Sequence, residues 1–208
     1  FALLMSGFYL SLGSKTVIHA GYLFNTDNAS IEPEMSILIE NDIILDVLAG
    51  YISPETDDLY IDLTGYYILP GLIDMHVHLT SQSSSRAYIE RTTLNAADYA
   101  IRATKNAEKT LLAGFTSVRN LGDADSITIS LRNAINKGVT LGPRIFSSGT
   151  TISTTGGHGD PTNSLNLNFT SDPGPEEGVI NGKEEAYKAV RHRYKQDADL
   201  IKITATGG

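Results

Sequence analysis

After Pro70 the sequence alternates short β-forming runs with helical repeats, and a chain built that way has few folds open to it. Leu69–Leu79, Phe115–Leu121, Arg144–Ser147 and Leu200–Thr204 read as strands. Between the first two, Leu94, Ala97, Ile101, Thr104, Leu111 and Leu112 trace one helical face that stops at Gly114. Between the next two, Ile127, Leu131, Ala134 and Ile135 trace another, with Asp125 or Ser126 as its cap and Gly138 as its end. A third helix is expected from Lys183 to Gln196. Asn181 and Glu184 are spaced there as a capping box, with Ala186, Tyr187, Val190 and Tyr194 on the inner face and His192 with its basic neighbours on the solvated one. Strands separated in this way pair in parallel through right-handed helical crossovers, so the fold class is α/β.

The first of these strands carries the chemistry. Side chains alternate along a strand, so Asp74, His76 and His78 are expected on one face and Ile73, Met75, Val77 and Leu79 on the other, a polar stripe on an otherwise buried run. Two imidazoles on one rigid strand can share a divalent metal ion with little ordering cost. The plainer alternative is a pair of hydrogen-bonded core histidines.

Between the third strand and the third helix lies Gly149–Gly182, rich in Gly, Ser, Thr, Asn and Pro. A connection of that length is usually functional or disordered, and from a parallel sheet it leaves at the carboxyl ends of the strands, where sites are built. Within it Thr155–Asp160 presents His158, either as a substrate contact or proton-handling group or as a surface histidine. On the last strand Leu200, Lys202 and Thr204 share a face that would point inward. A buried lone ammonium is costly, so Lys202 must be paired with a carboxylate, consumed as a Schiff base with a carbonyl substrate, or carbamylated by carbon dioxide to bridge two metals. The histidine pair on the first strand favours the carbamate, because two cations would stabilise that anion.

Residues 15–67 read differently, as a small all-β unit. Thr16–Ala20, Ser36–Glu40, Ile43–Val47 and Tyr60–Leu63 are β-rich, Asn41–Asp42 reads as a tight hairpin turn, and His19 among the strand residues reads as structural or exposed. Residues 1–14 begin without Met, are apolar and uncharged up to Leu12, and end in small residues. They suit the remnant of a signal peptide, implying a periplasmic or secreted protein; a buried first element in a cytoplasmic protein is the alternative. No run is long enough for a membrane span. The net charge of −8 and the lack of a basic stripe argue against nucleic acid as a partner, and the absence of cysteine leaves His, carboxylate and Lys for any metal chemistry.

The segments Leu69–Leu79, Gly114–Gly122, Gly142–Ile145, Thr155–Asp160 and Ala198–Gly208 together resemble the amidohydrolase superfamily, and within it the imidazolonepropionase-like and Xaa-Pro dipeptidase (prolidase)-like group. The resemblance extends over nearly everything after Lys15. His-x-His after Pro-Gly, followed in order by Lys in Ile-Lys-Ile-Thr-Ala-Thr-Gly-Gly, is a specific combination. It implies a small β-sandwich over residues 15–67, then the first four units of a (β/α)8 TIM-type barrel over 68–208. His76 and His78 would ligate one of two divalent ions, zinc by preference, with carbamylated Lys202 bridging both, Asp74 supporting the histidines from behind, and His158 near the substrate's carboxylate or scissile carbonyl. Further histidines and the general acid/base Asp would come from strands beyond residue 208, so the chain reads as an N-terminal fragment, inactive alone and prone to form a homo-oligomer through its open edges. Asn120 stands where relatives often carry Asp.

The implied activity is hydrolysis of an amide bond in a small-molecule or dipeptide substrate, foremost a dipeptide with carboxy-terminal proline, through a metal-bridged hydroxide. Cyclic-amide hydrolysis of the imidazolonepropionase type is the near alternative. A metal-free Schiff-base lyase using Lys202 and a non-catalytic metal-binding module are the alternatives from other classes.

Overall fold

The computed structural model describes residues 14–206. The reading of residues 1–14 as a signal remnant lies outside the described residues except for Ser14. The chain divides at Pro70–Gly71 into two compact units.

The first unit holds β1 (Thr16–Asn25), β2 (Ser30–Glu40), β3 (Ile43–Ala49) and β4 (Leu59–Ile68) in one sheet of order β3-β2-β1-β4. β1 runs antiparallel to β2 and parallel to β4. Asn41 and Asp42 join β2 to β3 with φ of 49° and 64°, the left-handed pair that a two-residue hairpin of primed type needs. Val17, Ala20, Met35 and Ile37 are buried in this sheet. His19 is buried as well and its ring is fully used: Nε2 lies 2.8 Å from the Ile52 carbonyl, Nδ1 3.0 Å from the Tyr60 hydroxyl, and Tyr51 stacks on it. It is therefore structural.

The second unit contains β5 (Leu72–Val77), α1 (Ala87–Thr93), α2 (Ala96–Leu112), β6 (Phe115–Asn120), α3 (Ile127–Asn136), β7 (Arg144–Ser147) and α4 (Lys183–Lys195). β5, β6 and β7 form a parallel sheet in that order. Leu79, Ala103, Ala107, Val118, Ile127, Leu131 and Ile145 make the core between it and α2 and α3. Burying a leucine- or isoleucine-sized side chain there is worth about 1.5–3 kcal/mol. Gly114, at φ +95°, ends α2 and feeds β6, as the expected helix stop requires.

Four local expectations are corrected. The fourth strand is an isolated bridge between Ile152 and Ile203, because its partners, Ser147 and Ile152, flank the point where the chain leaves β7 and no continuous ladder can form. β5 is not a buried run: it is a sheet edge among the described residues, with Ile73 63% and Met75 53% exposed. In α4 the inner face is Ala189 and Arg193, while Tyr187, Val190 and Tyr194 are exposed. The Arg193 guanidinium tolerates full burial because the carbonyls of Thr150 and Glu176 and the Gln196 amide oxygen accept its protons at 2.8–3.2 Å. Lastly, the acid that closes over the start of α4 is Glu185, which accepts from the Asn181 N–H at 2.6 Å; the Asn181 side chain is committed to Thr155.

Candidate functional site

The carboxyl ends of β5, β6 and β7 open into a cavity of about 630 Å³ whose lining includes His76, His78, His158, Lys202, Thr204 and Asp123. Parallel strands deliver this arrangement, since each releases its loop at the same edge.

His76 lies within β5 and His78 one residue beyond it, with ring centroids 5.3 Å apart at 61°. The Asp74 carboxylate accepts the His76 backbone N–H at 3.0 Å, where the β5–β6 ladder is irregular between Asp74 and Val77, and so braces the strand at the histidine. The His76 imidazole is held below its ordinary pKa, first by desolvation and then by the neighbouring Lys202, His78 and Arg119 side chains, which favours the neutral form a metal requires. His78 Nδ1 lies 3.1 Å from the Gly122 carbonyl. That acceptor takes the Nδ1 proton and leaves Nε2 as a free lone pair, the arrangement that orients metal-binding histidines.

The turn after His78 is pinned on both sides. Leu79 N–H donates to Asn120 Oδ1 at 2.9 Å, and Asn106 Nδ2 donates to the Leu79 carbonyl at 2.7 Å. Asn120 is fully buried and acts as a neutral hydrogen-bonding group. Gly122 sits at φ +142°, and a Cβ there would fall 2.5 Å from Thr151 Oγ1, so a side chain cannot be accommodated where its carbonyl must reach His78.

Lys202 and Thr204 face the cavity, half-buried, while Ile201 and Ile203 point away at 38% and 62% exposure, as strand alternation demands. His158 comes from the long loop, which is folded: Ser153 pairs with Val179, and the Asp160 carboxylate takes the Gly156 and Thr162 N–H groups and the Thr162 hydroxyl. Those bonds, the one from Gly156 foremost, hold the Asp160 carboxyl below its usual pKa. The loop thus presents His158 from a closed turn.

Two imidazoles available at nitrogen and one lysine amine across a cavity fit a divalent ion as part of its ligand set. Among the described residues no group of three or more His, Asp or Glu side chains is placed to complete one.

Sequence reasoning missed several contributors. His192, read as solvated, is 22% exposed and lines the cavity, its Nδ1 3.9 Å from a Glu176 carboxylate oxygen. Asp123, passed over in favour of Asp125 and Ser126, caps α3 by accepting the Thr128 N–H and hydroxyl at Oδ2; its Oδ1 is buried with no partner among the described residues. Burial pushes the Asp123 carboxyl above its ordinary pKa. An Asp four residues ahead of a helical repeat was the available signal.

The amidohydrolase family profile matches residues 67–208. A solved Xaa-Pro dipeptidase, with methionine bound in its active site, is 49% identical and superimposes with a TM-score of 0.88 over 94% of this chain and 48% of its own. A prolidase complexed with N-methylphosphonate-L-proline is 31% identical, with a TM-score of 0.80 over 94% of this chain and 47% of its own. Ochratoxinase from Aspergillus niger is 32% identical over 51% of this chain and 24% of the relative. The chain therefore spans about half the length of the solved structures, and its aligned half matches a quarter of that curated relative.

Proposed function

The chain belongs to the amidohydrolase family, and from that membership we propose that the complete protein is a metal-dependent hydrolase cleaving the amide bond of a dipeptide with carboxy-terminal proline. The observation that carries the reading is the convergence of His76, His78 and Lys202 on one cavity, with His158 at the same opening. The Xaa-Pro dipeptidase and prolidase similarities, which extend over 94% of the chain, support the substrate class.

His76 and His78 offer neutral nitrogens to one divalent ion. Lys202 Nζ, once deprotonated to the neutral amine, would add carbon dioxide and release one proton to give a carbamate, an anion that would help hold divalent ions, zinc by preference. Such ions supply a polarised scissile carbonyl and an activated water. His158 and Thr204 provide hydrogen-bond partners for the substrate's carboxylate at the same opening.

Replacing His76 or His78 with Asn in the full-length protein tests the reading, since Asn keeps polarity and approximate size. Both variants should lose bound metal and amide hydrolysis while the chelator-treated proteins unfold at nearly the wild-type temperature. Unchanged metal content with a lowered unfolding midpoint in both would reduce the pair to core histidines and overturn the proposal.

A further inference from the structure

Beneath the cavity a chain of buried hydrogen bonds connects its two metal-directed sides. Thr128, in the first turn of α3, is completely buried, and its hydroxyl lies 2.6 Å from Asp123 Oδ2, 2.7 Å from Ser147 Oγ and 3.2 Å from Asn120 Nδ2. A hydroxyl has one proton and two lone pairs. Asp123 Oδ2 also receives the Thr128 backbone N–H, so it is an acceptor and takes the Thr128 proton. Asn120 Nδ2 can only donate. Ser147 must then donate as well, and the Thr128 hydroxyl is saturated with every direction fixed.

The chain ends beside the candidate ligands. On one side Asn120 Oδ1 accepts the N–H of Leu79, the residue after His78. On the other, Ser147 N–H donates to Asp199 Oδ2 at 2.8 Å and the Ser147 carbonyl accepts Asp199 N–H at 2.8 Å, three residues before Lys202. Arg132 Nη1 holds the same Asp199 oxygen at 2.6 Å, and its Nη2 binds the Asp197 carboxylate. The proton accounting also explains the amide at position 120: with the only Thr128 proton committed to Asp123, that position must donate to Thr128 and accept from Leu79 at once, which an ionised Asp cannot do.

We propose that Asn120, Thr128 and Ser147 are positioning residues that set the separation between the His76–His78 pair and Lys202, an inference that rests on the metal site proposed above. The test uses the full-length protein with Thr128→Val, Thr128→Ser and Ser147→Ala. Zinc retention is measured against graded chelator, and amide hydrogen exchange at Leu79 is measured in the metal-free state. Thr128→Val removes the hub at nearly constant shape. It should weaken zinc retention about 10- to 100-fold and speed exchange at Leu79, while exchange at Val118 in the core stays as in the wild type. Thr128→Ser restores the hydroxyl and should restore both readouts. Ser147→Ala cuts the hub's link to the Lys202 side, together with the bond from the Gly149 N–H, and leaves the Ser147 main-chain bonds to Asp199, so zinc retention should fall with Leu79 exchange unchanged; it carries the test by itself should Thr128→Val fail to fold. Zinc retention at the wild-type level in Thr128→Val and Ser147→Ala, whatever their thermal midpoints, would overturn the positioning role and leave the metal site standing. A wild-type protein that retains no zinc would remove the metal site and this inference with it.

Discussion

Gly122→Ala isolates how far the site depends on one main-chain carbonyl. At φ +142° an L-residue is strained, a cost of about 1–3 kcal/mol. The new Cβ would sit 2.5 Å from Thr151 Oγ1, and Thr151 can make room only by rotating away from the Leu121 carbonyl, 3.2 Å from its hydroxyl. That lost bond adds about 0.5–1.5 kcal/mol. The sum, about 1.5–4.5 kcal/mol, bears on the peptide whose oxygen accepts the His78 Nδ1 proton. If the strain is relieved by turning that peptide, the cost appears as lost metal affinity, roughly 10- to 1,500-fold at 1.4 kcal/mol per decade. If the peptide stays in place, it appears as lost stability. Chelator competition and denaturant unfolding on the full-length variant therefore account for the total between them. Thr151→Ala removes the same hydroxyl bond to the Leu121 carbonyl, so the double variant should cost less than the sum of the two single variants and keep the φ strain. A Gly122→Ala protein matching the wild type in both metal affinity and unfolding free energy would refute the reasoning.

Other expectations follow from the same geometry. Lys202→Ala should lower metal content sharply, with partial recovery of turnover when a short carboxylic acid is supplied; two retained metals and full turnover would eliminate the carbamate. Arg193→Met takes the guanidinium donor from the carbonyls of Thr150 and Glu176, charge-assisted bonds worth about 1.5–3 kcal/mol each, so urea unfolding should register a loss of several kcal/mol, and a loss under about 1 kcal/mol would show that these oxygens find other partners. Asp160 has a folded pKa below its unfolded value, so its stabilisation is complete above about pH 4 and disappears as pH falls through the folded value. Exchange at the Gly156 amide should consequently accelerate in that acid range, and Asp160→Asn should abolish the acceleration.

Much of this architecture was legible in the residue pattern because the pattern is local. The strand and helix periods place β6, α3, β7 and α4 within a few residues of their observed bounds, and Asn41–Asp42 could adopt its positive φ values without help from elsewhere. The histidine pair and Lys202 were legible because alternation on a strand is geometrically simple. Failures came where tertiary partners override the period. Tyr187 and Tyr194 read as core by polarity, yet Arg193 is inside, because whether an arginine can be buried depends on acceptors from Thr150 and Glu176, which no helical wheel contains.

The same distinction separates the two histidines. His76 lies inside the β5 span, braced by Asp74 on its own N–H, and strand geometry contributes to its direction. His78 is already past the end of the strand, so a β-ladder cannot aim it. Its orientation must come from the partners that replace the ladder: the Gly122 carbonyl on its ring, and Asn120 and Asn106 on the peptide groups of Leu79 that follow. Three residues drawn from α2, β6 and the loop after β6 thus perform for His78 what backbone pairing performs for His76. This is why Gly122 and Asn120, neither of them able to bind a metal usefully from where they sit, belong to the site as much as the imidazoles do: they convert a histidine on a turn into one held nearly as firmly as a histidine on a strand.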